Sequence, residues 1–263
     1  MLVAIDVGNT QTVIGLFGPG DGPAGSGPDL LYHWRVATVA SRTADELALL
    51  IDQLFQLQGL DPDEVITGLV VASVVPRLRT AMREMADRWF KVDTVIVEPG
   101  VRTGMPIHYD NPKEVGADRI ADAVAAFERY GGPTIVVDFG TATTFEVVSE
   151  RGEYLGGVIL PGIEISLEAL FARAALLPRV ELIEPRSVLA KNTVESVQSG
   201  VIYGFAAQVD GLCRRLEDEL GPCRVVATGG LAGLIGPYSA AIEHHEPWLT
   251  LEGLRIIFGR NQK

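Results

Sequence analysis

Asp6-Val7-Gly8-Asn9-Thr10-Gln11-Thr12 decides the fold, because Asp138-Phe139-Gly140-Thr141-Ala142-Thr143-Thr144 repeats its pattern 132 residues later. Each copy is entered by an apolar run, Leu2 to Ile5 in the first and Thr134 to Val137 in the second. Each is left by another apolar run, Val13 to Phe17 and Phe145 to Val148. The pattern predicts two strands joined by a tight polar turn that carries a carboxylate, a glycine and hydroxyls. Those residue types suit a polyphosphate. An aspartate at a strand end holds a hydrated magnesium ion, glycine lets backbone come close to phosphate, and successive amides form an anion-binding concavity. One such turn is an ordinary hairpin in most chains. Two in equivalent settings predict a duplicated architecture with a cleft between the copies.

Outward from the first turn, Leu30 to Ala37 supplies a third strand, and Thr43 with Glu46 forms a capping box for a helix that Gly59 ends. Leu47, Leu50, Ile51 and Leu54 fall on one face of that helix. Val65 to Val75 reads as a strand buried on both faces, Pro76 opens a helix to about Phe90, and Val92 to Val97 is another strand. Outward from the second turn the order recurs. Tyr154 to Leu160 is a strand, Pro161-Gly162 opens a helix to about Leu177, and a long helix runs from about Thr193 to Leu220. Arg224 to Ala227 is a strand, and Thr228-Gly229-Gly230 turns into a further helix, with two glycines that let a flat adenosine ring lie against backbone. Three strands followed by alternating helix and strand, twice over, predict an α/β chain. The architecture expected is a duplicated actin- and sugar-kinase-like (ribonuclease H-like) two-domain fold, with the active site in the interdomain cleft. The halves are expected at 1–116, with the first phosphate loop, and 117–263, with the second phosphate loop and the adenosine turn.

The net charge of −12 over 263 residues argues against a nucleic-acid or anionic-membrane surface. Cys213 and Cys223 lack metal-ligand spacing and read as reduced, structural thiols. No basic start with a long apolar core opens the chain, and no apolar run is long enough to span a bilayer, so a soluble cytoplasmic protein is expected. Gly20 to Gly25 matches a dinucleotide fingerprint by letter, but Pro23 interrupts it and no helix opens there; Gly18 to Asp29 reads as a long, mobile hairpin tip. His33 alternates with apolar neighbours and is expected to pack inside, while His244-His245 reads as surface loop.

Between the halves, Tyr109-Asp110-Asn111-Pro112 and Gly116-Ala117-Asp118-Arg119 lead into a helix continued by Ile120, Val124 and Phe127. Asp118 in a first helical turn is favoured by the helix dipole and expected to be ionised at neutral pH, with an ordinary carboxylate pKa. It serves either as a first-turn stabiliser or as a base, and Arg119 either as a surface cation or as a clamp for a carboxylate or phosphate.

Together these motifs, with Gly156-Gly157, Pro161-Gly162, Asn192-Thr193 and Thr228-Gly229-Gly230, resemble the type III pantothenate kinases over essentially the whole chain and in the same order. The resemblance implies ATP-dependent phosphorylation of pantothenate, the first committed step of coenzyme A synthesis. It implies that Asp6, Val7, Gly8, Asn9, Thr10, Gln11, Thr12 and Val13 form the first phosphate loop, with Asp6 facing Mg²⁺, and that Thr141 belongs to the second. Asp118 becomes the proton acceptor, and Tyr109, Gly116, Ala117 and Arg119 line the pantothenate site. A monovalent cation, K⁺ or NH4⁺, falls to Asp138, and Thr193 reaches pantothenate across a homodimer interface. None of the four lysines follows a glycine, so a lysine-cradled phosphate of the Walker type is not expected, and the cation supplies part of the missing charge.

Three other readings are open to the residues. A sugar or small-acid kinase of the same fold leaves the Tyr109 to Arg119 block without a purpose. A non-catalytic nucleotide-binding regulator has no need of Asp6, Asp118 and Asp138 together. A chaperone-type ATPase requires a peptide-binding domain that this length does not supply.

Overall fold

The computed structural model describes residues 1–20 and 29–262. Most of the predicted hairpin tip, and most of the fingerprint-like stretch inside it, lies outside the described residues. The chain packs as two units. The first comprises Met1–Gly104, Asn111–Ala125 and Thr250–Lys263, and the second Met105–Asp110 and Ala126–Leu249. The single cut expected at 116/117 follows the repeat in the sequence, whereas contacts group the C-terminal segment with the first unit.

In the first unit, β1 (Leu2–Val7), β2 (Gln11–Phe17) and β3 (Leu30–Ala37) form an antiparallel meander. β4 (Gly68–Ser73) and β5 (Asp93–Ile96) extend it in parallel on the far side of β1, giving the order β3-β2-β1-β4-β5. One face carries Val3, Ile5, Val7, Ile14, Leu16, Leu69 and Val71 against helices α1 (Ala44–Gln56) and α3 (Pro76–Met85). The predicted box at Thr43 is present: its backbone N–H donates to Glu46 Oε2 at 2.7 Å, and the Glu46 N–H donates to Thr43 Oγ1 at 3.3 Å.

β4 is shorter than the apolar run suggests. Asp61 caps a one-turn helix, α2 (Pro62–Val65), accepting the Asp63 N–H at 3.0 Å, so Val65 belongs to a helix rather than to the strand. At the other end the Ser73 hydroxyl accepts the Val75 N–H at 3.2 Å and turns the chain into Pro76. His33 corrects its expectation. On β3 the intermediate and exposed positions alternate, so Tyr32 and Trp34 turn inward while His33 is exposed. Trp34 stacks on Phe55 with ring centroids 5.2 Å apart.

The second unit repeats this sheet strand for strand. β6 (Thr134–Phe139), β7 (Ala142–Val148) and β8 (Tyr154–Pro161) form the meander, and β9 (Arg224–Thr228) and β10 (His244–His245) add in parallel beyond β6. Even the irregularities correspond: the outer antiparallel pair shifts register at Leu16/Phe17 in one sheet and at Val147/Val148 in the other. Helices α5 (Ile163–Arg173), α6 (Thr193–Leu220) and α7 (Ala232–Ile235) supply residues to the core on one face, against Ile135, Val137, Phe139, Phe145 and Val147. α5 stops at Arg173, short of the expected Leu177, with Ala174 as its C-cap. His244-His245 is an edge strand rather than surface loop, and the His244 ring stacks on Tyr130 at 4.4 Å.

Helix α4 (Ala117–Tyr130) contains the division between the units, which falls after Ala125. A last helix, α8 (Leu249–Asn261), has no counterpart in the sequence reading. Leu249 at its start is buried, and Leu251, Leu254 and Ile257 along it are buried in the stretch that belongs to the first unit. Glycines admit it: a Cβ at Gly68 would meet Phe258 Cζ at 2.4 Å, and one at Gly253 would meet the Ala121 carbonyl oxygen at 1.9 Å. That last neighbour is backbone, with no rotamer to give way. Gly253→Ala is therefore expected to cost about 1–3 kcal/mol, read as a lowered urea midpoint with an unchanged slope.

Candidate active site

The first candidate loop is set by the register of β1. Asp6 pairs with Val13 and Ala72 and lies on the face opposite Val3, Ile5 and Val7, at the end where the chain turns. The Gly8 N–H donates to the Gln11 carbonyl at 3.0 Å and closes the turn. Asn9, Thr10 and Gln11 stand exposed, while Val7 and Thr12 are buried. The Thr12 and Thr38 hydroxyls are hydrogen-bonded at 2.8 Å, and the Thr38 N–H donates to the Thr10 carbonyl at 2.9 Å, so the loop is tied down from the side. Val7 and Thr12 can reach a ligand through backbone only. The side chains available there are Asp6, Asn9, Thr10 and Gln11.

Asp118 sits in the first turn of α4, also in the first unit. Its carboxylate folds back over Gly116, where a Cβ would lie 2.3 Å from Oδ1, and accepts the Arg119 N–H at 2.8 Å. A side chain at Gly116 would push the carboxylate out of this position. Burial pushes the Asp118 pKa above its ordinary value; the Arg119 amide and guanidinium pull the other way and lose. The expected ordinary pKa is thus corrected. The helix terminus does favour the anion, but removal of the carboxylate from bulk water outweighs it. The residue as a whole stays part-exposed. Just before α4, the Asn111 side chain accepts the Lys113 N–H at 3.3 Å and donates to Glu114 at 2.7 Å, fixing the approach to the helix.

The second unit holds the other candidates. Asp138 occupies on β6 the position Asp6 has on β1, and the Gly140 N–H closes its turn by donating to the Ala142 carbonyl at 3.1 Å. Two glycines from elsewhere close on this turn. A Cβ at Gly229 would lie 2.2 Å from Asp138 Oδ1, and one at Gly162, the N-cap of α5, would lie 2.2 Å from the Thr141 carbonyl oxygen. The exposed Thr141 thus stands beside the amino end of α5, where the helix dipole favours an anion. Gly229, read from sequence as an adenosine turn, also has this packing role, and its φ of +91° is one that L side chains rarely adopt.

Tyr109 is part-exposed and meets Tyr154 edge-on at 6.3 Å, above the Gly156 backbone. Thr193 is exposed at the start of α6, capped by Asn192, which accepts the Glu195 N–H at 2.9 Å. It lines an open groove of about 370 Å³ with Leu167, Leu170, Val197 and Phe205. Within its unit, then, the structure brings Asp138, Thr141, Gly162 and Gly229 together, and Gly116, Asp118 and Arg119 cluster in the other. The grip of Gly162 and Gly229 on the second turn was not foreseen. Its only trace in the sequence is a glycine directly after each neighbouring strand.

Among the described residues no group of three or more His, Cys, Asp or Glu is placed to hold a metal, and no helix is long and apolar enough to cross a membrane.

The family model for type III pantothenate kinases matches residues 2–215. A type III pantothenate kinase of Myxococcus xanthus strain DK1622 is 56% identical over 262 residues, 99% of each chain. One from Moorella thermoacetica strain ATCC 39073 is 55% identical over 99% of this chain and 100% of its own. Among solved structures, an inorganic polyphosphate/ATP-glucomannokinase from Arthrobacter sp. strain KM superposes with a TM-score of 0.51 at 13% identity, over 99% of both chains. That likeness carries the sugar-kinase fold alone.

The sign of the Asp118 shift makes a prediction. A carboxyl whose folded pKa is raised stabilises the fold below its unfolded pKa, and that stability is lost as pH rises through the folded value. Asp118→Asn, which keeps the shape and never ionises, is expected to melt at or above the wild-type temperature at pH 7. The gap should close as pH falls toward 4, in thermal melts across that range. A variant less stable at pH 7 would contradict the burial argument.

Proposed function

This chain belongs to the type III pantothenate kinases, which phosphorylate pantothenate with ATP in the first step of coenzyme A synthesis, and we propose how its residues divide that work. Asp118 is the proton acceptor for the pantothenate hydroxyl. The observation that carries this is its carboxylate, held by the Arg119 amide at 2.8 Å and raised in pKa by burial, on a residue that is part-exposed as a whole. A base whose pKa lies closer to the operating pH transfers protons more effectively. Phosphoryl transfer through a loose transition state asks more for alignment than for basicity, and a carboxylate locked over Gly116 supplies alignment. Arg119 clamps the substrate's carboxylate, and Tyr109, Gly116 and Ala117 line the remainder of the pantothenate site.

The first loop, Asp6 to Val13, binds ATP phosphates, with backbone alone contributing at Val7 and Thr12 because their side chains are buried. Thr141 contributes from the second loop, beside the amino end of α5. Asp6 holds Mg²⁺. A lone carboxylate at a strand end suits this ion, which usually takes one or two carboxylates together with substrate phosphates. When bound, Mg²⁺ neutralises charge on the transferring phosphate. Asp138 holds the monovalent cation, K⁺ or NH4⁺, in a turn without lysine or arginine.

The chain works as a homodimer, with Thr193 reaching the partner's pantothenate. Support comes from exposed apolar side chains: Leu170, at 42%, lines the same groove, and Val188 at 67% and Leu189 at 79% precede α6 in the chain. The reading places the enzyme in the cytoplasm, where ATP and a reducing environment suit two free, buried cysteines.

ADP production measured with and without pantothenate, on wild type and Asp118→Asn, tests the central assignment. Turnover should require pantothenate and fall by about 10²–10⁴ in the variant while the fold survives. Turnover that ignores pantothenate, or a variant of near wild-type rate, would overturn it. Replacing K⁺ or NH4⁺ by Na⁺ should lower the rate; equal rates in all three would remove the cation from Asp138.

A further inference from the structure

The two central strands place their aspartates in the same register, yet the side chains beside them differ. Asp6 stands between Val13 on β2 and Ala72 on β4. Asp138 stands between Thr144 on β7 and Thr228 on β9. Residues paired across a ladder share a face, so hydrocarbon flanks the first carboxylate and two hydroxyls flank the second. That face is the one turned away from Val137, Phe139 and Phe145 in the core. The duplicated halves have therefore diverged at one row of the sheet, immediately around the carboxylate.

Thr144 Oγ1 is buried and has no hydrogen-bond partner among the described residues. A hydroxyl beside a carboxylate ordinarily donates to it, and a buried hydroxyl left unpaired costs folding free energy. The Asp138 carboxylate is itself closely confined: a Cβ at Gly229 would reach Oδ1 at 2.2 Å, and one at Gly140 would reach Oδ2 at 3.4 Å. The result is one anionic group and a neutral oxygen on neighbouring strands, the oxygen shut off from water. A small divalent ion keeps its own waters and leans on carboxylates, whereas a large monovalent cation is served by neutral oxygens that replace its hydration shell.

We propose that the Thr144 hydroxyl is a ligand of the monovalent cation at Asp138 and a determinant of how tightly this enzyme holds it. The inference rests on the reading above that K⁺ or NH4⁺ sits at Asp138. Thr144 supplies an oxygen that Val13, its counterpart in the first half, cannot, and so only the second aspartate becomes a monovalent-cation site.

The test uses the full chain as wild type, Thr144→Val and Thr144→Ser, with Mg²⁺ and a non-hydrolysable ATP analogue present in thermal melts. Melting is compared in KCl and in N-methylglucamine chloride at equal ionic strength, and the K⁺ concentration for half-maximal activity is measured separately with ATP. Thr144→Val should lose the K⁺-dependent rise in melting temperature and need about ten-fold more K⁺ or beyond for half activation. In N-methylglucamine chloride it should melt no lower than wild type, because a methyl replaces an unpaired hydroxyl. Thr144→Ser should keep the K⁺ response. A Thr144→Val that responds to K⁺ as wild type does overturns the proposal and leaves the cation at Asp138 standing. A wild type that shows neither stabilisation nor activation by K⁺ overturns the cation reading itself. A Thr144→Val that melts well below wild type without K⁺ marks the hydroxyl as structural and overturns the proposal too.

Discussion

Everything proposed for this protein depends on the register of its two central strands. Val3, Ile5 and Val7 on β1, and Ile135, Val137 and Phe139 on β6, are all essentially buried. A slip of one residue would turn each set to the opposite face and bring Asp6 or Asp138 into the core. Burying a single large apolar side chain is worth about 1.5–3 kcal/mol, so displacing three of them would cost an amount comparable to the whole marginal stability of a typical domain. The direction of both carboxylates is therefore a by-product of hydrophobic burial. No interaction at the site itself needs to enforce it.

On that shared frame the two halves hold their loops in different ways. The first turn is longer by a residue and is tied by a hydroxyl pair, Thr12 with Thr38, leaving Asn9 to Gln11 exposed. The second is held by close backbone contact, with Gly162 and Gly229 set against it so tightly that no side chain fits at either position. The chain carries two Asp-x-Gly turns, and local packing made one of them open and the other confined. That difference suits a division in which one aspartate meets a hydrated divalent ion and the other a partly dehydrated monovalent one.

Asp118 illustrates a conflict that only magnitudes resolve. Its place in the first turn of α4 and the neighbouring Arg119 both favour the anion, and each effect is real. Desolvation is larger and wins, so the group is held at a cost to the fold and available to take a proton. A residue that stabilises catalysis and destabilises folding is common at functional sites, because the same burial produces both effects.

Much of this was legible in the residues. The paired Asp-x-Gly turns announced the duplication, and Thr43 with Glu46 announced a helix start. Signals of this kind are local: a cap, a turn or an alternation is decided by neighbours in sequence. Helix α8 escaped notice because Gly253 and Gly259 interrupt its pattern, and its apolar side chains gain meaning only against Gly15 and Gly68 on another part of the chain. His33 was misplaced because alternation gives two faces and does not say which is inward; Trp34 stacking on Phe55 decided it. The sequence by itself determined the succession of strands from β1 to β9, the duplicated turns and the family. Tertiary structure alone decided which carboxylate is desolvated, which glycines grip the second turn and which hydroxyls flank Asp138, because burial and cross-strand neighbours belong to residues that meet only after folding.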